Sequence, residues 1–168
     1  MCSEWKNSLQ KMLLSSPEPR IAVMGIGHEL RGDDAAALIV VRALQAAVGT
    51  RPNVLLVEAG HAPENHTGSI RRFAPNLVLL IDAAHMGELP GTIRWLVWQD
   101  TSGISGSSHT LPLHMIAAYL QLELGCEVAL IGIQPEGTAF DQPLSDVVQM
   151  AVDQIVPPLV EMLRALPS

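Results

Sequence analysis

Asp34 and Asp82 stand where apolar runs give way to loops. Asp34 closes the stretch Ile21-Ala-Val-Met-Gly-Ile-Gly-His-Glu-Leu-Arg-Gly-Asp-Asp34, and Asp82 closes Leu77-Val-Leu-Leu-Ile-Asp82. Each apolar run reads as a buried strand feeding a loop. The crevice at the carboxyl ends of a parallel sheet is where open α/β folds bind their ligands. His109, in Ser107-Ser-His-Thr-Leu-Pro-Leu113, supplies a third arm from a separate loop. Carboxylate and imidazole together suit nickel, zinc, manganese or iron, and three protein ligands leave positions open for water or a substrate group.

Each of these residues also has a plainer reading. One carboxylate of Asp33-Asp34 can cap the following helix or favour its dipole. That role is assigned to Asp33, with Asp34 first on the helix and facing the crevice; on local sequence alone, capping would account for either. Asp82 follows five apolar residues. A buried charge there requires an arginine, a backbone nest or a metal, and a turn cap at Ala83-Ala84 is an equal alternative. The six histidines are His28, His61, His66, His85, His109 and His114. His109 is distinguished by its place just before a helix with Pro112 in its first turn, where the dipole favours the neutral imidazole that binds metal. His28, His61 and His85 follow strands and can line the same crevice, whereas His114 reads as a helix-face residue.

Gly25-Ile-Gly27 resembles the start of a dinucleotide-binding loop. A third glycine is missing, and Asp33-Asp34 put negative charge where a pyrophosphate would sit. The glycines read instead as a tight turn with close chain approach. There is no Gly-x-Ser-x-Gly elbow and no His-Glu-x-x-His, and neither Cys2 nor Cys126 has a nucleophile's surroundings. A hydrolase built from these residues would use metal-polarised water rather than a covalent nucleophile.

The elements that must position these groups alternate. A short amphipathic helix is predicted over 2–14, then a strand over 21–26 and a helix from Asp33-Asp34 to Gly49. A strand at 54–58 leads into a long polar loop, Gly60–Gly68, with a short helical turn at 70–73. Further strands are predicted at 77–82 and, at an edge or antiparallel, at 92–98. Asp100–Ser108, rich in Gly and Ser, reads as mobile. A helix over 111–124, a strand over 126–133 and a helix over 141–156 follow, with Pro157-Pro158 after the last. Such alternation implies an α/β fold with a mostly parallel sheet covered by helices on both faces.

Length and charge narrow the class. The 168 residues fit one domain over 1–168, divided as a helical extension (1–19) and a core (20–166). Hydrophobic residues make up 48% of the chain, yet no run approaches the roughly 20 apolar residues that span a bilayer. The start of the chain lacks the layout of a secretory signal. The net charge is −7 and aromatic residues are few, which disfavours nucleic acid. A cytoplasmic protein without membrane insertion is expected.

Five stretches, taken in order, give the chain a resemblance. They are Met24-Gly-Ile-Gly-His-Glu-Leu-Arg-Gly-Asp-Asp34, Gly60-His-Ala-Pro-Glu-Asn65, Leu80-Ile-Asp-Ala-Ala-His-Met-Gly87, Ser108-His-Thr-Leu-Pro-Leu113 and Ile131-Gly-Ile-Gln-Pro135. Through them the chain resembles the hydrogenase maturation endopeptidases, which remove a C-terminal extension from the large-subunit precursor of nickel–iron hydrogenases. The resemblance implies a three-layer sandwich with a twisted sheet of about five strands. It also implies that Asp34, Asp82 and His109 engage nickel carried by the precursor. The Ala-Pro-Glu-Asn and Gln-Pro stretches look most like the branch serving membrane-bound, hydrogen-evolving enzymes. The implied partner is the precursor, and the protease is expected to act as a monomer. Two positions depart from the family pattern: His28 replaces a usual Asn, and Ala35 replaces a usual Gly. A non-catalytic nickel checkpoint or chaperone would use the same three residues, and a small-molecule hydrolase on the same fold is a further alternative.

Overall fold

The computed structural model describes residues 4–102, 104–106 and 111–167. The chain runs α1 (Glu4–Leu14), β1 (Ile21–Ile26), α2 (Ala36–Val48), β2 (Val54–Gly60), α3 (Thr67–Phe73), β3 (Leu77–His85), β4 (Ile93–Leu96), β5 (Ser105–Gly106), α4 (Leu113–Leu124), β6 (Glu127–Ile133) and α5 (Asp146–Arg164). Five strands form one sheet in the order β2-β1-β3-β6-β4, and β5 pairs with the end of β3. β1 is parallel to β2 and β3, and β3 is parallel to β6. β4 runs antiparallel at the edge against β6. The fold is thus α/β with a mostly parallel sheet.

Burial follows from the strand period of two. Every residue of β1 is buried, as is β3 up to its last residue. Ile21, Val23, Leu77, Leu79 and Ile81 pack with α1, α2 and α5 on one face. Ala22, Met24, Ile26, Val78, Leu80 and Ala84 pack with α3 and α4 on the other. Strands covered on both sides have to be apolar throughout, which is why they read as continuous runs. Gly25 lets the first layer close up: a Cβ there would lie 2.6 Å from the Ala37 carbonyl oxygen and 2.8 Å from Val41 Cγ2. The glycine therefore serves helix–sheet contact rather than a nucleotide.

Three elements differ from the sequence expectation. The polar stretch 60–68 is not one loop. Pro63–His66 forms a 3-10 turn and α3 starts at Thr67. Only Ile70 of α3 is buried, so the helix shows almost no apolar periodicity. The second difference is at the C-terminal helix, which begins at Asp146 and continues through Pro157 and Pro158 to Arg164. A proline inside a helix costs about 3 kcal/mol or more, partly through the lost hydrogen bond to the i−4 carbonyl. The two carbonyls that lose donors belong to Asp153 and Gln154, both exposed residues. Meanwhile Val148, Ala151, Val152, Ile155, Leu159 and Leu163 keep one buried stripe across the proline pair. Burying each of the larger ones contributes roughly 1.5–3 kcal/mol, which offsets the break. Third, Asp33 and Asp34 lie in a 3-10 turn, Gly32–Ala35, ahead of α2.

The two expected glycine helix stops hold. Gly49, at φ 70°, ends α2, and Gly125, at φ 64°, ends α4. Pro112 precedes α4 as its N-cap. Among the described residues no helix is long and apolar enough to cross a membrane.

Candidate active site

The sheet changes direction between β1 and β3. From β1 the chain moves outward to β2, then crosses back to β3 and on to β6. The crevice outside the carboxyl ends of these two strands is the switch point where such folds take their ligands. Asp82 lies there, in register with Ile26 at the end of β1. On β3 it shares the face of Val78, Leu80 and Ala84, the side covered by α4. Asp34 arrives from the connection after β1. Its carbonyl accepts the His28 N–H at 3.2 Å, and the Asp34 N–H donates to the Arg31 carbonyl at 3.0 Å. Gly27 lies directly beneath: a Cβ there would stand 1.9 Å from the Asp34 carbonyl oxygen and 3.8 Å from Asp34 Oδ1. Both acidic residues are enclosed, Asp34 at 0% exposure and Asp82 at 2%. Two carboxylates held in this way can grip a cation presented by a substrate, or take a proton from water.

His109 lies outside the described residues. Among the described residues no three His, Cys, Asp or Glu side chains gather as a metal-binding group. The segment that carries His109 leads directly into α4, whose Leu113 and Ile116 pack on the Asp82 face of the sheet.

Asp33 has a different task from the one expected. The turn it occupies has no side-chain cap hydrogen bond. Its carboxylate instead reaches the segment between β6 and α5. Oδ2 accepts the N–H groups of Glu136 (2.8 Å) and Gly137 (3.1 Å) and the Ser145 hydroxyl (2.9 Å), while Oδ1 accepts the Ser145 N–H (2.7 Å). No sequence signal pointed to this, because the partners lie more than a hundred residues away.

His28 and His61 come together, with ring centroids 5.3 Å apart and planes 26° from parallel. Phe140 meets the His28 ring edge-on at 5.7 Å, and the Arg31 guanidinium covers the other ring of that pair, Phe140, at 4.2 Å. The Leu30 N–H donates to His28 Nδ1 at 3.2 Å, so in the neutral ring the proton sits on Nε2. A cavity of about 330 Å³ opens here, with His28, His61, Glu29, Glu58 and Arg42 in its walls. Arg42 is held between Glu29 at 2.7 Å and Glu58 at 2.6 Å, and these hydrogen bonds, Glu29 foremost, raise its pKa above the ordinary value. All three side chains are solvent-accessible, so the pairs shape the wall more than they stabilise the fold. His85 ends β3 exposed, on the opposite face from Asp82, and does not join the pair.

Two further features bear on chemistry. Gln134 is buried, and its side-chain oxygen accepts the Met86 N–H at 2.7 Å and the Glu88 N–H at 3.3 Å. It thereby shapes the loop that leaves β3 just beyond Asp82. The Gln-Pro pair in the sequence was the available signal for it. Cys126 is buried, and burial pushes its thiol pKa up. Such a thiol is a structural hydrophobe rather than a nucleophile.

At Ala35 the backbone is right-handed helical (φ −82°, ψ −7°) and its conformation makes no demand for glycine. The departure at His28 changes the wall: an imidazole there stacks on His61 and meets Phe140.

Comparison with known proteins agrees with this fold. The family described as HycI, hydrogenase maturation protease, matches residues 38–162. The hydrogenase 3 maturation protease of Escherichia coli K12 is 31% identical over 131 residues, 77% of this chain and 82% of that protein. The crystal structure of a NiFe hydrogenase maturation protease HycI from Thermococcus kodakarensis KOD1 aligns with a TM-score of 0.83 at 32% identity, covering 94% of this chain and 99% of that one. The solution structure of the endopeptidase HycI from Escherichia coli aligns with a TM-score of 0.71 at 28% identity, covering 86% and 89%. The chain belongs to the hydrogenase maturation protease family, endopeptidases that cleave the C-terminal extension of a hydrogenase large subunit.

Proposed function

We propose that this protease acts only on a precursor that already carries nickel, and that Asp34, Asp82 and His109 read that metal as part of the substrate. The observation that carries the proposal is the enclosure of Asp34 and Asp82 at the switch point between β1 and β3. Two enclosed carboxylates attract a cation with little screening by water, and a metal delivered by the substrate reaches them only when the correct partner docks. His109 completes the set in this reading, as a neutral nitrogen ligand from the segment before α4.

Docking through the metal fixes the scissile peptide beside the carboxylates. Holding the bond and a water together removes much of the entropic barrier. One carboxylate accepts the water proton as attack proceeds, and the same proton is then available to the leaving amine. The walls formed by residues 60–67 receive the precursor's tail: Gly60 and His61 border one cavity, and Glu64 and Thr67 a second, apolar one of about 340 Å³ with Leu111, Met115 and Tyr119. The protein works as a cytoplasmic monomer.

His109→Ala tests the three-residue reading. The variant is expected to keep the wild-type melting temperature and to lose at least about tenfold in kcat/KM on nickel-loaded precursor, as loss of a positioned ligand entails. Wild-type kcat/KM in that variant would remove His109 from the site.

A further inference from the structure

Asp33 and Asp34 are neighbours with opposite destinations. Successive side chains in a 3-10 turn diverge by about 120°. Fixing one therefore sets the direction of the next. Asp33 is fixed from every side: its carboxylate accepts four hydrogen bonds from Glu136, Gly137 and Ser145. Its own N–H donates to the Gly137 carbonyl at 2.9 Å, and the Asp141 N–H returns to the Leu30 carbonyl at 2.9 Å. Gly32 adds a close approach, since a Cβ there would stand 2.7 Å from the Gly137 carbonyl oxygen. The same clamp seats Phe140 against His28 and under Arg31. From the other side, Asp34 is held by the His28 N–H and by contact with Gly27.

We infer that Asp33 is a positioning residue for cleavage: by clamping the segment between β6 and α5 to the turn after β1, it sets the direction of the Asp34 carboxylate and the wall formed by Phe140 and His28. Asp33 does not touch the substrate. Its charge is consumed by three N–H groups and one hydroxyl, so no cation or water needs it. This inference rests on the proposed role of Asp34.

The experiment compares Asp33→Asn and Ser145→Ala with the wild type, each first shown to be folded by near-ultraviolet circular dichroism. Asparagine keeps the shape but turns an NH2 group toward donors, so the grip on one part of the segment fails. Ser145→Ala removes one donor of the four and leaves the charge. Two readouts are taken. The first is the backbone amide spectrum, in which the Gly27, His28 and Asp34 signals are expected to move in Asp33→Asn and, less, in Ser145→Ala. The second is cleavage of nickel-loaded precursor. There kcat is expected to fall about 10²-fold in Asp33→Asn, the scale of a 1 Å misplacement, and a few-fold in Ser145→Ala, with KM within about threefold in both. Unmoved amides at residues 27, 28 and 34, or a loss confined to KM, would overturn the inference. If Asp33→Asn does not fold, Ser145→Ala decides by the same readouts. Failure of the wild type to cleave loaded precursor would instead count against the proposed function, while the amide readout would still judge the clamp.

Discussion

Asp82→Asn is expected to lower precursor cleavage by about 10²–10⁴-fold, the range lost when a positioned acid–base group is removed. The substitution keeps the shape of the side chain and takes away its charge. Asp82 lies at 2% exposure on β3, opposite Ile26. A carboxylate enclosed there is placed to hold a cation or to take a proton. Stability should therefore change little, within the roughly 2–4 °C that about 1 kcal/mol produces in a chain of this size. Single-turnover cleavage beside a thermal melt separates the two effects. Cleavage within about tenfold of wild type would remove Asp82 from the chemistry, and a collapsed melt would recast it as a structural residue.

Gly27→Ala is expected to damage both fold and activity. The added methyl would sit 1.9 Å from the Asp34 carbonyl oxygen, a backbone atom. Neither side can yield easily. The Gly27 N–H is tied to the Gly60 carbonyl at 2.9 Å, and the Asp34 carbonyl is tied to the His28 N–H at 3.2 Å. Overpacking of this kind costs about 1–3 kcal/mol and sometimes more, so a fall in melting temperature of roughly 2–12 °C is predicted. In the fraction that remains folded, Asp34 is displaced, and cleavage should drop by about 10²-fold. Urea titration with the cleavage assay run on the folded protein tests this. A variant as stable and active as wild type would mean that Gly27 and Asp34 are not packed as described.

Much of this arrangement was legible in the chain because its cause is local. β1 and the first part of β3 are apolar since both faces of the sheet are covered, but β3 runs on past Asp82 to His85, so that carboxylate stands within the strand and not at the start of a loop. Gly49 and Gly125 marked helix ends for the same local reason. What was not legible depends on distant partners. Asp33 looked like a helix cap, because its real partners, Glu136, Gly137 and Ser145, are brought to it only by the fold. Only the end of α3, at 70–73, was legible as helical, because a helix burying a single side chain leaves no stripe to show where it starts. The passage of α5 through Pro157-Pro158 reflects packing of Leu159 and Leu163 over local preference. Phe140, a lone aromatic in a polar stretch, gave no hint that it would meet His28 and Arg31.

The central claim is that substrate-borne nickel licenses cleavage. Intact-mass analysis of a cognate large-subunit precursor, incubated with this protease with and without nickel loaded, tests it most directly. The account predicts loss of a C-terminal peptide from the loaded precursor alone. Equal cleavage of the nickel-free precursor would contradict it, and so would intact loaded precursor found bound to the protein.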